Sequence, residues 1–569
     1  MQHRWVSPQV VDIEKVRQVQ DEFGLHPLVS QILSNRGFRD IEAVGKFLNP
    51  SLDDLHDPFI MKGMNEAVDR LAKALESGEK IVIYGDYDVD GITSITLMVR
   101  YLRQLGGNVG HYIPHRMVQG YGLSPAGIDR VVKMGASLVV TVDCGITAVD
   151  SINYAKSKGL ELLVTDHHEP GGALPDAVAI LNPKQPGDIY PEKELAGIGV
   201  AFKLCQGLCI RLGCDVNQLY EHLDLVAVGS IADIVPLLGE NRVFAKFGLE
   251  KLKTSSKPGI KALVESSGLR GKPLSSGLVV FSMAPRINAV GRMGDALRGV
   301  ELFLTDDMVE AQKLAQVLEK ENIYRREIDN QTLMEARQQI NSTIDLDNRC
   351  SIVLASEDWH PGVLGIVASR IVEEYYRPTV LISFDKDGEG KGSARSISHF
   401  HLFEALKQCD HCLDVFGGHK YAAGVQLRRE DFEEFVEAFE KAAGSLLEPE
   451  DLVPEISVDL ELSLHQADKT LLESMDRFRP YGPGNPKPVL MANDLSVVGY
   501  PKIVGNNHLK MRVRKDGYQL ESIGFGLADK LKEINTAMDK ISMAFILEEN
   551  EWNNMRNLQA RIKDIKVCR

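Results

Sequence analysis

Ile81-Val82-Ile83-Tyr84-Gly85-Asp86-Tyr87-Asp88-Val89-Asp90-Gly91 begins as an unbroken apolar run and ends in an Asp/Gly turn, with helix-like Ile92 to Leu105 behind it. The pattern returns twice. Leu138-Val139-Val140-Thr141-Val142 ends at Asp143-Cys144-Gly145, and Leu160 to Thr165 ends at Asp166-His167-His168. Short apolar runs without alternation, separated by helical stretches, indicate a parallel sheet covered on both faces. Ligands of such α/β sheets bind beyond the carboxyl ends of the strands. All three acidic clusters sit at such ends.

Around this centre the 569 residues divide further, as a length near four ordinary domains predicts. Residues 1–75 are helical in pattern, with a loop at Pro50, Ser51 and Pro58, and are expected to pack with a catalytic domain over 76–300. Thr305-Asp306-Asp307 marks a helix start. The charged stretch from there to about Ile340 holds no Gly or Pro, which predicts a long connecting helix over 301–345. A second, smaller α/β pattern fills 346–447: Ile352-Val353-Leu354, a helix over Gly362 to Tyr375, then Thr379-Val380-Leu381-Ile382. Past Glu448-Pro449-Glu450 the segments are short and alternating, as in His508-Leu509-Lys510-Met511-Arg512-Val513-Arg514. Residues 448–569 therefore read as a small β-barrel or sandwich.

Composition excludes several classes. With 44% hydrophobic and 25% charged residues the chain is neither disordered nor fibrous. No apolar run approaches the roughly 20 residues that span a bilayer. Met1-Gln2-His3-Arg4-Trp5 lacks the apolar stretch of a secretory signal, and eight cysteines are too sparse for a disulfide scaffold, so a reducing cytoplasm is expected. A net charge of -15 argues against a basic coat for nucleic acid. The charge is uneven, however. His401 to Leu460 holds 5 basic against 14 acidic residues, whereas Pro501 to Arg569 holds 13 against 9, so a polyanion can still be held in a local groove.

Asp86, Asp88 and Asp90 stand two residues apart, a spacing that points extended side chains the same way. Three clustered anions repel unless cations neutralise them. A polar loop capping the next helix is the plain alternative. A calcium hand needs a preceding helix and a Glu at position twelve; here a strand precedes and Leu97 occupies that position. Asp143 and the Asp166-His167-His168 cluster add an imidazole ligand and a neighbour suited to phosphate. Asp233 is a lone acid in apolar Gly229-Ser230-Ile231-Ala232-Asp233-Ile234-Val235-Pro236, where a salt-bridged helix Asp is the alternative. Carboxylates with imidazole favour Mn2+ or Mg2+ over calcium or structural zinc. Two such ions a few Å apart hydrolyse phosphoesters.

Gly85-Asp86-Tyr87-Asp88-Val89-Asp90-Gly91, Val142-Asp143-Cys144-Gly145, Thr165-Asp166-His167-His168 and Ala232-Asp233-Ile234-Val235-Pro236-Leu237, in that order, resemble the four motifs of the DHH phosphoesterase family. Ala284-Pro285-Arg286-Ile287-Asn288-Ala289-Val290-Gly291-Arg292-Met293 and Gly417-Gly418-His419-Lys420-Tyr421-Ala422-Ala423-Gly424 are similar to its later segments, the second being the mark of a DHH-associated domain. Arg479-Pro480-Tyr481-Gly482-Pro483-Gly484-Asn485-Pro486 is similar to the opening of an OB-fold domain. The resemblance implies two sites for Mn2+ or Mg2+. Asp88 and Asp90 would serve one each, Asp143 would bridge them, and His167 and Asp233 would complete the second. Asp86 would support the first, and His168 would face the scissile phosphate. Small members carry a metal-binding His where Tyr84 stands here, and a phenol is a poor ligand at neutral pH.

The resemblance also implies substrate contacts from Arg286, Asn288, Arg292, Arg370, Arg395, Ser396, Gly417, Gly418 and His419. For the arginines a salt bridge to nearby acidic helices is the alternative. Tyr481, Phe525 and Trp552 suit a groove for single strands, while Trp359 reads as core. Cys409-Asp410-His411-Cys412, with His419 nearby, lacks a second ligand pair for zinc, and Cys205, Cys209 and Cys214 read as core on a helix. The implied activity is 5′-to-3′ exonuclease action on single-stranded DNA with release of 5′-mononucleotides, in recombination and repair. The implied partners are a single-stranded-DNA-binding protein and a RecQ-type helicase. An oligonucleotide or cyclic-dinucleotide phosphodiesterase, or a non-catalytic single-strand-binding scaffold, are the alternatives.

Overall fold

In the computed structural model, which describes residues 3–7, 13–38, 40–114, 122–535, 540–552 and 555–567, the run at Ile81 is a central strand. Strand β1 (Arg4–Val6) comes first in the chain, within the stretch whose pattern reads as helical. Five strands then form the sheet that carries the acidic clusters: β2 (Lys80–Gly85), β3 (Asn108–Tyr112), β4 (Leu138–Val142), β5 (Glu161–Thr165) and β6 (Ala179–Leu181). They lie in the order β3-β2-β4-β5-β6, every pair parallel. Ile81, Ile83, Val140 and Leu163 face one buried cluster and Val82, Val139, Leu162 and Val164 another, so both faces are covered, as the unalternated runs require.

The helix Met308–Thr343 follows, starting just past the predicted Thr305-Asp306-Asp307 signal. A second, mixed sheet holds β7 (Ile352–Ser356), β8 (Thr379–Phe384), β9 (Glu389–Arg395), β10 (Val415–Gly418) and β11 (Ala422–Arg428), ordered β10-β11-β9-β8-β7. Next, β12 (Glu455–Ser457) pairs in parallel with β1. The last strands are β13 (Leu460–Glu461), β14 (Leu490–Val504), β15 (His508–Lys515), β16 (Tyr518–Phe525), β17 (Ile541–Trp552) and β18 (Met555–Val567). Their order β13-β14-β15-β16-β18-β17 closes on itself through β14–β17 pairing, which makes a barrel.

The chain falls into two units, 8–321 with 459–569 and 1–7 with 322–458, and the division lies inside the long helix. Of the segment 1–75, residues 1–7 fall in the other unit, and 8–75 stay with the catalytic sheet's unit but divide between its two cores. The helices Ile13–Phe23, Pro27–Asn35 and Ile41–Leu48 place Val29, Ile32, Val44 and Phe47 in the barrel's core beside Phe478 and Leu490, whereas Leu52, Leu55, Phe59 and Met61 onward pack with the sheet's core. The i, i+3 spacing of Val29 and Ile32 declares a buried face but not which surface it meets. No described helix is long and apolar enough to cross a membrane.

Candidate metal centre

Each acidic motif lies where its strand or helix ends. Asp86 follows β2, Asp88 caps the helix Val89–Gln104, and Asp90 lies in that helix's first turn. Asp143 follows β4 at φ 58°, and His167 and His168 follow β5. Asp233 closes the helix Leu223–Ala232. Three groups result, and Asp143 with His167 and His168 is the one that joins the other two. Asp86, Asp88 and Asp143 offer oxygens within 4.8 Å of one another, and so do the ligand atoms of Asp90, His167 and Asp233. Asp143 touches both: its Oδ1 lies 3.2 Å from His167 Nε2, which also faces Asp233 Oδ2 at 3.7 Å and Asp90 Oδ2 at 3.9 Å.

Burial, then Asp88, pushes the Asp90 carboxyl up to about 7. Burial and the surrounding carboxylates of Asp90, Asp88, Asp86 and Asp233 raise Asp143 well above the usual range; burial with Asp90 and Asp88 does the same for Asp233. Burial, then His168, lowers His167 to about 3, so its ring is neutral and holds a lone pair. That Nε2 is buried with no hydrogen-bond partner, and a backbone bond at Leu195 steadies the ring. A neutral imidazole nitrogen aimed at three mutually repelling carboxylates is the donor set that a divalent cation relieves. The residues fit Mn2+ or Mg2+.

Supporting contacts come from places the sequence does not flag. The N–H groups of Gly197 and Ile198, which open the helix Gly197–Leu212, donate to Asp90 at 2.6 and 2.9 Å. Asp166 accepts from the N–H of Ile146, His167 and His168 and from His168 Nδ1 at 2.8 Å. Burial alone would pull His168 down, but the hydrogen bond and charge of Asp166 hold it above its ordinary value. Ile234, next to Asp233, is 61% exposed at φ 64°, a strained conformation for a β-branched residue. Tyr84 is buried and its hydroxyl donates to the Gly122 carbonyl at 3.1 Å, away from any role as ligand.

The expected substrate residues are differently engaged. Arg286 pairs with Glu319 and donates to the Ser282 carbonyl, the salt-bridge alternative. Asn288 Oδ1 accepts from the Val89 N–H at 3.2 Å, and Arg292 is half-buried near the end of the same helix, Ala284–Met293. The rest belong to the other unit. Arg370 pairs with Asp329 at 3.2 Å, and Arg395 donates to the Ala394 carbonyl at 2.8 Å. Ser396 Oγ donates to the Phe400 carbonyl, Gly417 and Gly418 lie on β10, and the His419 N–H donates to the Ala422 carbonyl. Trp359 is core, donating to Glu335. Tyr481 is also packed, its hydroxyl on the Met475 carbonyl, while Phe525 is exposed. Trp552 lies on β17, with its side chain outside the described residues. Cys205 and Cys209 are core on a helix as expected, but Cys214 follows its Gly213 cap and is half-buried. His411 and Cys412 meet Glu434 rather than a second cysteine pair.

A five-stranded parallel sheet with carboxylates and imidazole converging beyond its carboxyl ends defines a metal-dependent phosphoesterase of the DHH class. The model of the DHH family N-terminal domain matches residues 80–230, that of the DHHA1 domain 348–445, and that of the RecJ OB domain 458–564. The single-stranded-DNA-specific exonuclease RecJ of Bacillus subtilis is 41% identical over 99% of this chain and 71% of its own. RecJ of Thermus thermophilus, solved in complex with Mn2+, superposes with a TM-score of 0.85 at 32% identity, covering 99% of this chain and 79% of that one. The same protein with Mg2+ gives 0.79 at 30% identity, covering 99% and 78%. The chain belongs to the RecJ family.

Proposed function

We propose that this chain is a single-stranded-DNA-specific exonuclease, a metal-dependent hydrolase that works 5′ to 3′ and releases 5′-mononucleotides. The observation that carries the reading is the buried, unpartnered His167 Nε2 facing Asp90, Asp143 and Asp233, with Asp86 and Asp88 beside them. Asp88, Asp90, Asp143, His167 and Asp233 are the proposed ligands, and Asp86 supports the first site. Divalent cations held there supply Lewis acidity and offset the charge that builds on the phosphate.

The chain's own groups do the rest. Asp166 accepts a hydrogen bond from His168 Nδ1, which fixes the ring and favours its protonated form. A cationic ring also donates from Nε2, and this proton is proposed to meet a phosphate oxygen. The Gly197 and Ile198 N–H groups hold Asp90 in one orientation while the pocket is built. Arg286 and Arg292, with Arg370, Arg395, Ser396 and the Gly417-Gly418-His419 turn, are proposed to hold the strand. For Arg286 and Arg370 this means exchanging their carboxylate partners for phosphate. Action in recombination and repair in the cytoplasm, beside a single-stranded-DNA-binding protein and a RecQ-type helicase, belongs to the same proposal.

A 5′-labelled single strand incubated with Mn2+ tests the reading. Labelled mononucleotide should appear early, duplex should resist, and Asp143→Ala should lower the rate by about a thousandfold or more, ~4 kcal/mol of barrier. Turnover near the wild-type rate in that variant overturns the assignment.

A further inference from the structure

The helix Ala284–Met293 lies against the loop that carries the first three carboxylates. Asn288 and Gly291, three residues apart, share one face. From that face Asn288 Oδ1 accepts the Val89 N–H, and a methyl group on residue 291 would overlap the Tyr87 carbonyl oxygen. Both contacts fall on the main chain between Asp86 and Asp90. Arg286 is two residues from Asn288, some 200° around the helix, and it pairs with Glu319 of the long helix. The short helix is thus wedged between the long helix and the carboxylate loop.

The loop needs this support. Val89 and Gly91 stand in the first turn of a helix, where N–H groups have no partner within the helix. Asp88 Oδ1 takes the Gly91 N–H at 3.1 Å, which turns its carboxylate and commits one oxygen. Asn288 takes the Val89 N–H, and so fixes the peptide that joins Asp88 to Val89. A tilt of that peptide moves Asp88 away from Asp86 and Asp143.

We infer that Asn288 is a positioning residue for the Asp86–Asp88–Asp143 cation site, acting through the Val89 N–H, and not a phosphate contact. The inference rests on the proposal that these carboxylates hold a divalent cation. Arg286 on the opposite face remains the phosphate candidate of this helix.

Titrating the full-length chain with Mn2+ alone, followed by calorimetry and by the electron-spin signal of free Mn2+, separates the possibilities. Asn288→Ala should weaken one class of Mn2+ site about tenfold, the effect of losing a group that orients a ligand, and leave the other unchanged. Asn288→Asp, which keeps the acceptor although it adds a charge, should bind Mn2+ more tightly than Asn288→Ala. Asn288→Leu, of similar size without the acceptor, repeats the alanine expectation should alanine impair folding. At saturating Mn2+, KM for single-stranded DNA should be unchanged in all three. Wild-type Mn2+ affinity in Asn288→Ala and Asn288→Leu together with a raised KM overturns the inference in favour of a phosphate contact. Wild-type protein that binds no Mn2+, or binds it equally after Asp143→Ala, overturns the cation reading itself.

Discussion

His167 shows what the metal centre demands of single residues. Its ring is neutral because burial, then His168, disfavours the cation, and the carboxylates it faces are raised by burial and by one another. Without metal, Asp90 titrates at about 7 when folded, with Asp143 and Asp233 also raised, against an ordinary value of 3.8 in the unfolded chain. The folded state therefore binds more protons than the unfolded one near neutrality, and stability must fall as pH rises through that range. His167 and His222, neutral when folded, still lose part of a proton each in the unfolded chain above pH ~6.5. This opposes the trend only near the lower end of the range and is outweighed by the three raised carboxyls. Chelated protein should accordingly melt lower at pH ~8 than at pH ~6.5, and added Mn2+ should raise Tm more at the higher pH. A Mn2+ increment independent of pH in thermal unfolding contradicts the coupled carboxylate pocket. The residue types of this pocket are legible in the sequence because spacing and strand ends mark Asp86, Asp88, Asp90, Asp143 and His167. The work of Asp166 is not, since a buried acid that orients a neighbour is spelled like one that binds metal.

At the scale of elements, legibility follows whether the signal is local. Strands β2, β4 and β5 are written as apolar runs, and the helix Met308–Thr343 by its charge and lack of Gly and Pro. The placement of one element's end against another is not written locally. The helix Gly197–Leu212 aims its first N–H groups at Asp90, 107 residues earlier, and nothing in Ala196-Gly197-Ile198-Gly199 names that partner. The glycine at its start has a steric reason: a methyl on residue 197 would come within 2.9 Å of Asp143 Oδ1 and Asp90 Oδ2. Gly197→Ala should therefore push the helix back, at a cost of about 1–3 kcal/mol for overpacking. Nuclease activity should fall at least tenfold through weaker Mn2+ binding, while far-ultraviolet circular dichroism stays unchanged. Wild-type Mn2+ affinity in this variant would mean that the helix end tolerates displacement and does not set the geometry of Asp90.

Across the larger unit, one side chain ties the catalytic sheet's helices to the N-terminal helices and the barrel. Arg242, on the helix Gly239–Thr254, is 1% exposed. Its guanidinium donates to the Phe47 carbonyl at 2.7 Å, to Arg479 at 2.9 Å and to Pro480 at 3.3 Å, and lies 4.0 Å over the Phe47 ring. Burial lowers its pKa to about 10, which still leaves it charged at neutral pH. Five donors in a rigid fork let arginine serve three carbonyls from separate segments, and no sequence pattern around position 242 announces them. Nearby, the Leu237 N–H donates to the Pro483 carbonyl and Asn485 Nδ2 to those of Phe478 and Pro480, so the 478–486 turn is held on both sides. Arg242→Met fills similar space but takes the guanidinium donor from the Phe47 and Arg479 carbonyls and leaves Pro480 with Asn485 alone, a loss of about 3–5 kcal/mol. Because the loss falls at the junction of two cores, it should appear as a separate low-temperature transition of the barrel with the N-terminal helices. The catalytic sheet should melt near its usual temperature and keep its Mn2+ affinity. Calorimetry showing one undivided transition within a degree or two of wild type would mean that the two cores are joined by their apolar contacts and not by this cation.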